Sequence, residues 1–273
     1  MPASLGQIVA ATRLRVAESK RRSSTRDFEM AAERHVPRGF RQALAARSRS
    51  APAVIAELKK ASPSRGVIRA EFNPEALARE LEASGAAALS VLTDEEFFQG
   101  SLENLRRASA ATRLPCLRKD FVVDDFQILE ARAHCADAIL LIVAALSQAE
   151  LTALAGSART LALDVLCEVH DEEELQRALD AGFDLIGVNS RDLRTFQVDI
   201  QTALRLAGRI PKNFVRVAES GIHSGEDVAR LRAAGYDALL VGESLMKAAA
   251  PGQALRSLLA EAGRHAESVK API

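Results

Sequence analysis

The sequence predicts an α/β fold: a single (β/α)8 TIM-type barrel over residues 1–273, of which 1–48 form a helical N-terminal extension. Three observations predict it. Eight short apolar runs alternate with longer amphipathic stretches, the signature of βαβ units in a parallel sheet. The runs lack alternating polarity, as expected of strands covered on both faces. A junction that ends a helix and opens a strand recurs at Gly85-Ala86-Ala87-Ala88, Cys135-Ala136-Asp137-Ala138, Gly182-Phe183-Asp184-Leu185 and Gly235-Tyr236-Asp237-Ala238. Glycine at such a point supplies the left-handed turn into the next strand. A doubly wound open sheet, the competing architecture, usually has fewer strands and a Gly-rich first turn, which is missing here.

In chain order, Leu5 to Arg22 places Leu5, Ile8, Val9, Thr12, Leu14 and Val16 at roughly helical spacing. Shorter helical stretches at Phe28–Arg34 and Phe40–Arg47 follow, separated by Pro37-Arg38-Gly39. This extension is too short for a core of its own. It is expected to pack on the barrel, to serve the substrate mouth, and to be dispensable for folding of the rest. The strands are then expected at Val54–Ala56, Ala88–Leu92, Cys116–Leu117, Ala138–Val143, Ala162–Cys167, Leu185–Val188, Phe214–Ala218 and Ala238–Val241. Helical patterns such as Pro74–Ser84, Asp124–His134 and Ser224–Ala234 lie between them.

Composition removes several classes of function. Thirty-six basic residues balance thirty-six acidic ones, whereas nucleic acid or a membrane surface calls for a basic excess. Aromatic residues make up 4% with no Trp, too few for a base-stacking platform. Cys116, Cys135 and Cys167 are odd in number without C-x-x-C spacing, and read as reduced, mostly buried thiols. The five histidines are scattered, so no metal site is expected. Lys20-Arg21-Arg22 reads as a solvated helix end with no apolar segment behind it, and no run approaches the ~18 apolar residues of a membrane span. The expectation is a cytoplasmic monomer with a small-molecule partner, no nucleic acid, no membrane, no metal and no cofactor.

In this architecture chemistry gathers at the C-terminal ends of the strands. Strand 1 ends in Glu57-Leu58-Lys59-Lys60, strand 3 in Arg118-Lys119-Asp120, strand 5 in Glu168, strand 6 in Asn189-Ser190-Arg191, strand 7 in Glu219-Ser220-Gly221 and strand 8 in Gly242-Glu243-Ser244. Alternation puts Glu57 with Lys59, and Asn189 with Arg191, on one face. Carboxylates and lysines converging in one mouth suit proton transfer: a lysine beside a second cation becomes a better acid, and a desolvated carboxylate a better base. A Schiff-base lysine is the rival role for Lys119. The turns Ser220-Gly221-Ile222 and Gly242-Glu243-Ser244-Leu245 follow strands 7 and 8, where such barrels bind phosphate through backbone N–H groups. Ser62-Pro63-Ser64-Arg65-Gly66 offers further donors.

These residues also carry a family resemblance. Ile55-Ala56-Glu57-Leu58-Lys59-Lys60-Ala61-Ser62-Pro63-Ser64, Leu92-Thr93-Asp94-Glu95-Glu96-Phe97-Phe98-Gln99-Gly100-Ser101 and Leu117-Arg118-Lys119-Asp120-Phe121 resemble the strand-1, strand-2 and strand-3 motifs of the indole-3-glycerol phosphate synthases. Glu168-Val169-His170, Gly187-Val188-Asn189-Ser190-Arg191-Asp192-Leu193, Val217-Ala218-Glu219-Ser220-Gly221-Ile222 and Val241-Gly242-Glu243-Ser244-Leu245-Met246 continue it in order along essentially the whole chain. The resemblance implies a carboxy-lyase of tryptophan biosynthesis, closing 1-(2-carboxyphenylamino)-1-deoxyribulose 5-phosphate to indole-3-glycerol phosphate with loss of CO2 and water. It implies Lys119 as general acid, Glu168 in the dehydration, Lys59 near the reacting centre with Glu57 holding a lysine, and Asn189 and Ser220 beside them. Arg191 and Glu219 would address the substrate, and Phe98, Phe121, Leu140 and Leu193 would form the slot for its aromatic ring. Ser62, Gly221, Gly242 and Glu243 would hold the phosphate. Of the rivals, a phosphoribosylanthranilate isomerase needs a Cys/Asp pair, and Cys116 has no matching aspartate in the sequence pattern. A catalytically silent phosphometabolite-binding barrel would be expected to lack Lys119 or Glu168, and both are present.

Overall fold

A computed structural model describes residues 3–192 and 195–268. Eight parallel strands close in sequence order into a barrel. They are β1 (Ala53–Leu58), β2 (Ala88–Leu92), β3 (Cys116–Lys119), β4 (Ala138–Ile142), β5 (Asp164–Val169), β6 (Leu185–Asn189), β7 (Val215–Glu219) and β8 (Ala238–Val241). Closure comes where β8 lies beside β1, pairing Ala53 with Ala238 and Ala56 with Val241. Alternation divides the strand residues into two layers. Ile55, Leu117, Leu140, Leu166, Val217 and Leu240 fill the lumen. Val54, Leu89, Ile139, Leu141, Ile186 and Leu239 face the surrounding helices.

The junction residues adopt the left-handed backbone their sequence suggests: φ is 96° at Gly85, 81° at Gly182 and 100° at Gly235, and 64° at Cys135 despite its side chain. Ala162 does the same at φ 54°, which delays the fifth strand to Asp164 instead of the expected Ala162. That strand also runs on to Val169, so Glu168 lies within the ladder and not beyond it.

The helices are α1 (Leu5–Arg22), α2 (Thr25–Glu33), α3 (Phe40–Ser48), α4 (Pro74–Ala83), α5 (Glu95–Phe98), α6 (Leu102–Ala110), α7 (Asp125–Ala133), α8 (Gln148–Thr160), α9 (Glu172–Asp180), α10 (Gln201–Leu206), α11 (Gly225–Ala233), α12 (Glu243–Lys247) and α13 (Pro251–Ser268). Among the described residues no helix is long and apolar enough to cross a membrane.

The extension clasps the barrel from end to end. A Ser4/Gln7 capping box starts α1, which buries Ile8, Thr12 and Val16. Leu14 is 74% exposed and does not belong to that face, since two residues beyond Thr12 the helix has turned about 200°. Leu5 and Ile8 line the cavity at the mouth. Along the side, Phe28 of α2 meets Phe126 of α7 edge to face, ring centroids 5.6 Å apart. At the opposite end Phe40 and Leu44 of α3, both fully buried, plug the floor of the lumen against Ile55, Leu117 and Val217. Burial of two such side chains contributes about 1.5–3 kcal/mol each. This burial runs against the expectation of a dispensable extension at α3. Between α2 and α3, the Arg38 guanidinium donates to both oxygens of buried Asp137, at 2.6–3.1 Å.

Candidate active site

The strand ends open into a cavity of about 450 Å³, a volume suited to a small phosphorylated molecule. Glu57, Lys59, Ser62, Phe98, Lys119, Phe121, Leu140, Glu168, Asn189, Arg191, Glu219, Ser220, Gly221, Gly242 and Glu243 all line it. Leu193, assigned to the aromatic slot by resemblance, lies outside the described residues.

Lys119 sits at the centre. On β3 its side chain points into the lumen, while Arg118 turns outward to the α7 side and donates to the Gln127 carbonyl at 2.6 Å. Lys119 Nζ donates to Glu168 Oε2 at 2.7 Å and to Glu219 Oε2 at 2.8 Å. Burial alone would lower the Lys119 pKa, but the negative charges of Glu168, Glu219 and Glu57 overcome it and raise it well above the usual lysine value. The expectation that a second lysine would make Lys119 a better acid is thus not met. Each has its own carboxylate: Lys59 Nζ is 2.7 Å from Glu57 Oε1.

The two carboxylates on Lys119 are not equivalent. Burial raises the pKa of both. Glu168 is compensated by Lys119, by Asn189 Nδ2 at 3.1 Å and by His170, whose Nε2 lies 3.4 Å from Oε1, an ion-pair distance without hydrogen-bond geometry. It is held ionised, well below the usual carboxylate range. Among the described residues Glu219 has only Lys119 and its buried Oε1 has no hydrogen-bond partner, and desolvation pushes it up to about 7. Asn189 is oriented by Ser220 Oγ and the Arg191 N–H, which donate to its Oδ1 at 2.8 and 3.0 Å. Its amide nitrogen therefore faces Glu168.

Beside this cluster the backbone curls through two consecutive left-handed residues, Ser220 at φ 67° and Gly221 at φ 77°, which line the same cavity as Gly242 and Glu243 where α12 begins. The Glu243 side chain here is not an idle companion of its backbone N–H. It pairs with Lys247 at 2.6 Å and Arg65 at 3.3 Å, with Arg191 at 3.9 Å. Arg65 projects from a small antiparallel hairpin after β1, Ala61–Ser62 against Gly66–Val67. It completes a cationic rim that its place in Ser62-Pro63-Ser64-Arg65-Gly66 had signalled only as general donors.

The apolar side is formed by Phe98 and Phe121, centroids 6.3 Å apart, with Leu140 below and Leu5 and Ile8 of α1 above. Arg15 of α1 fixes this arrangement from outside. Its Nη1 donates to Asp94 at 2.9 Å and its Nη2 lies 3.7 Å from Asp120. Asp94 caps α5, the helix carrying Phe98, and Asp120 accepts from Thr93 Oγ1 at 2.7 Å just before Phe121. Arg15 stands at no strand end, and His170, which follows the fifth strand within Glu168-Val169-His170, carried no assigned role, so sequence reasoning missed what both do.

Fold and site together define a (β/α)8 barrel that gathers lysines and carboxylates in one mouth at its strand ends. The model of the family described as indole-3-glycerol phosphate synthase matches residues 5–258. An indole-3-glycerol phosphate synthase of Koribacter versatilis is 60% identical over 259 residues, covering 95% of this chain and 100% of its own. One of Acidithiobacillus ferrooxidans is 53% identical, covering 93% and 97%. The chain belongs to the indole-3-glycerol phosphate synthase family, and its activity is the ring-closing decarboxylation and dehydration of that carboxy-lyase in tryptophan biosynthesis. Among solved structures, thiamine phosphate pyrophosphorylase from Pyrococcus furiosus superposes with TM-score 0.60 at 18% identity, covering 83% of this chain and 100% of its own. A mandelate oxidase variant does so at 0.60 and 20%, covering 90% and 86%. These two show the barrel alone. The isomerase rival finds no support in the geometry: Asp137 does adjoin Cys116, but it accepts from the Cys116 backbone N–H at 2.6 Å at the floor end, and burial pushes the thiol up to about 12.

Proposed function

We propose that the mouth divides the reaction between a lysine kept charged and two carboxylates of opposite character. Lys119 is the general acid: as the aromatic carbon bearing the carboxylate attacks the ketone, it protonates the carbonyl oxygen. Its raised pKa keeps the proton on nitrogen throughout the neutral range. Donation to an alkoxide, a far stronger base than a ketone oxygen, becomes favourable only as that charge develops. CO2 then leaves, restoring the aromatic ring. Glu168, held ionised, accepts a proton in the dehydration, and the hydroxyl departs as water with a proton from the ammonium side of the mouth. Glu219, poised near neutrality, returns a proton to Lys119. Lys59, held by Glu57, binds near the reacting centre.

Asn189 and Arg191 address the substrate's carboxylate or hydroxyls, with Ser220 orienting Asn189. Phe98, Phe121 and Leu140 orient the ring. Ser62, Gly221 and the α12 N-terminus at Gly242-Glu243 hold the phosphate. The single observation that carries this reading is Lys119 hydrogen-bonded between Glu168 and Glu219 at the centre of the cavity. The chain acts as a cytoplasmic monomer on this small molecule. Incubating the purified protein with 1-(2-carboxyphenylamino)-1-deoxyribulose 5-phosphate should generate indole fluorescence and one CO2 per product. Absence of both overturns the reading.

A further inference from the structure

Among the described glycines, six take a positive φ that explains the absence of a side chain. Gly187 and Gly242 are not among them; Gly242 has φ −129°. Gly187 lies in the middle of β6, where glycine weakens a strand and usually marks close approach of another group. The approaching groups are two carboxylates of the mouth. A β-carbon at Gly187 would overlap Glu219 Oε1 and stand 3.1 Å from Leu166 Cδ1. One at Gly242 would overlap Glu57 Oε1 and stand 2.9 Å from both its Cβ and Cδ. Gly187 is on the strand beside the one that bears its carboxylate, and Gly242 directly follows such a strand: Asn189 of β6 pairs with Glu219 of β7, and Val241 of β8 with Ala56 of β1.

We propose that Gly187 and Gly242 are positioning residues, two seats that set Glu219 against Lys119 and Glu57 against Lys59. Glu219 Oε1 rests in the Gly187 seat while Oε2 accepts from Lys119 at 2.8 Å. Glu57 Oε1 fills the Gly242 seat and pairs with Lys59 at 2.7 Å. Both carboxylates are buried, at 2% and 4% exposure, and the space open to them is the cavity itself. A carboxylate pushed out of its seat moves into the cavity and off the position at which it meets its lysine. For Gly242 this role adds to its place at the phosphate end, so the expected defect reaches kcat as well as KM.

The inference rests on the roles assigned above to Glu219 and Glu57. Gly187→Ala and Gly242→Ala should fold by circular dichroism and lose kcat, by roughly 10²-fold for an ångström of displacement, with KM nearly unchanged in Gly187→Ala and raised in Gly242→Ala. The pH–rate limb that belongs to Glu219 should move in Gly187→Ala and stay in Gly242→Ala. In a Glu219→Ala background, Gly187→Ala should cost nothing further, because the overlapping atom is gone. If Gly187→Ala does not fold alone, the double variant should fold. A Gly187→Ala that keeps full kcat, that costs the same factor without Glu219, or whose double variant also fails to fold overturns the seat. Glu219→Ala with normal kcat would instead remove the role of Glu219, and the seat with it.

Discussion

Lys119 reaches Glu219 at 2.8 Å, yet Glu219 leaves its second oxygen buried and unpaired, whereas Glu168 on the other side of the same ammonium uses both. One cation shared between two buried carboxylates cannot compensate both, and the one with fewer donors climbs to about 7.

The pH dependence follows from that asymmetry. Glu219 has a raised pKa, so it is neutral and proton-bearing below about 7 and ionised above. Lys119 is raised and Glu168 depressed, so neither changes charge near neutrality, and His170, pushed up to about 10 by Glu168 and Glu174 against its burial, stays protonated. kcat/KM should therefore fall as pH rises through about 7, where an added negative charge meets an anionic substrate and the proton source is lost. Glu219→Gln should flatten that limb, measured as kcat/KM between pH 6 and 9. An unaltered limb in the Gln variant would assign it to another group.

Arg15 links α1 to both sides of the aromatic slot through Asp94 and Asp120. Arg15→Met keeps the stem and removes the link. KM should rise several-fold as Phe98 and Phe121 lose their fixed spacing, and stability should fall by more than the ~1 kcal/mol of a surface pair, because the Asp94 and Asp120 side chains are buried and Asp94 loses its cation. A KM equal to that of the parent protein would reduce Arg15 to a surface contact.

The extension should divide into two parts by deletion. Removing residues 1–22 takes away the mouth cover and should weaken substrate binding in a folded barrel. Removing residues 1–47 also takes Phe40 and Leu44 out of the floor and should destabilise the barrel strongly. Phe40→Ala alone should cost about 3–5 kcal/mol in chemical denaturation. Equal stability of the two truncations would contradict the floor role.

Much of this was legible in the sequence because strand ends announce themselves. Lys119, Glu168, Asn189 and Glu219 each terminate an apolar run, and a run's last residues face the mouth in this fold. What was not legible is which ends face one another. Glu219 lies 100 residues from Lys119, so the sequence could not say that carboxylates, and not a second lysine, surround it. Arg15 and Asp137 escaped for the same reason: their partners are 79 and 99 residues away and follow no period. Phe40 looked like one more residue of an amphipathic helix. Its place in the lumen is decided by the path of the whole extension around the barrel.

The central claim is that Lys119 supplies a proton and forms no imine, and Lys119→Met tests it most directly, since methionine keeps most of the stem and loses only the ammonium. In steady-state kinetics kcat should fall by about 10²–10⁴-fold with KM little changed, and borohydride added during turnover of the parent protein should trap no adduct on Lys119. A variant with near-normal kcat would transfer the acid role to Lys59, and a borohydride-trapped Lys119 adduct would replace proton donation with Schiff-base chemistry.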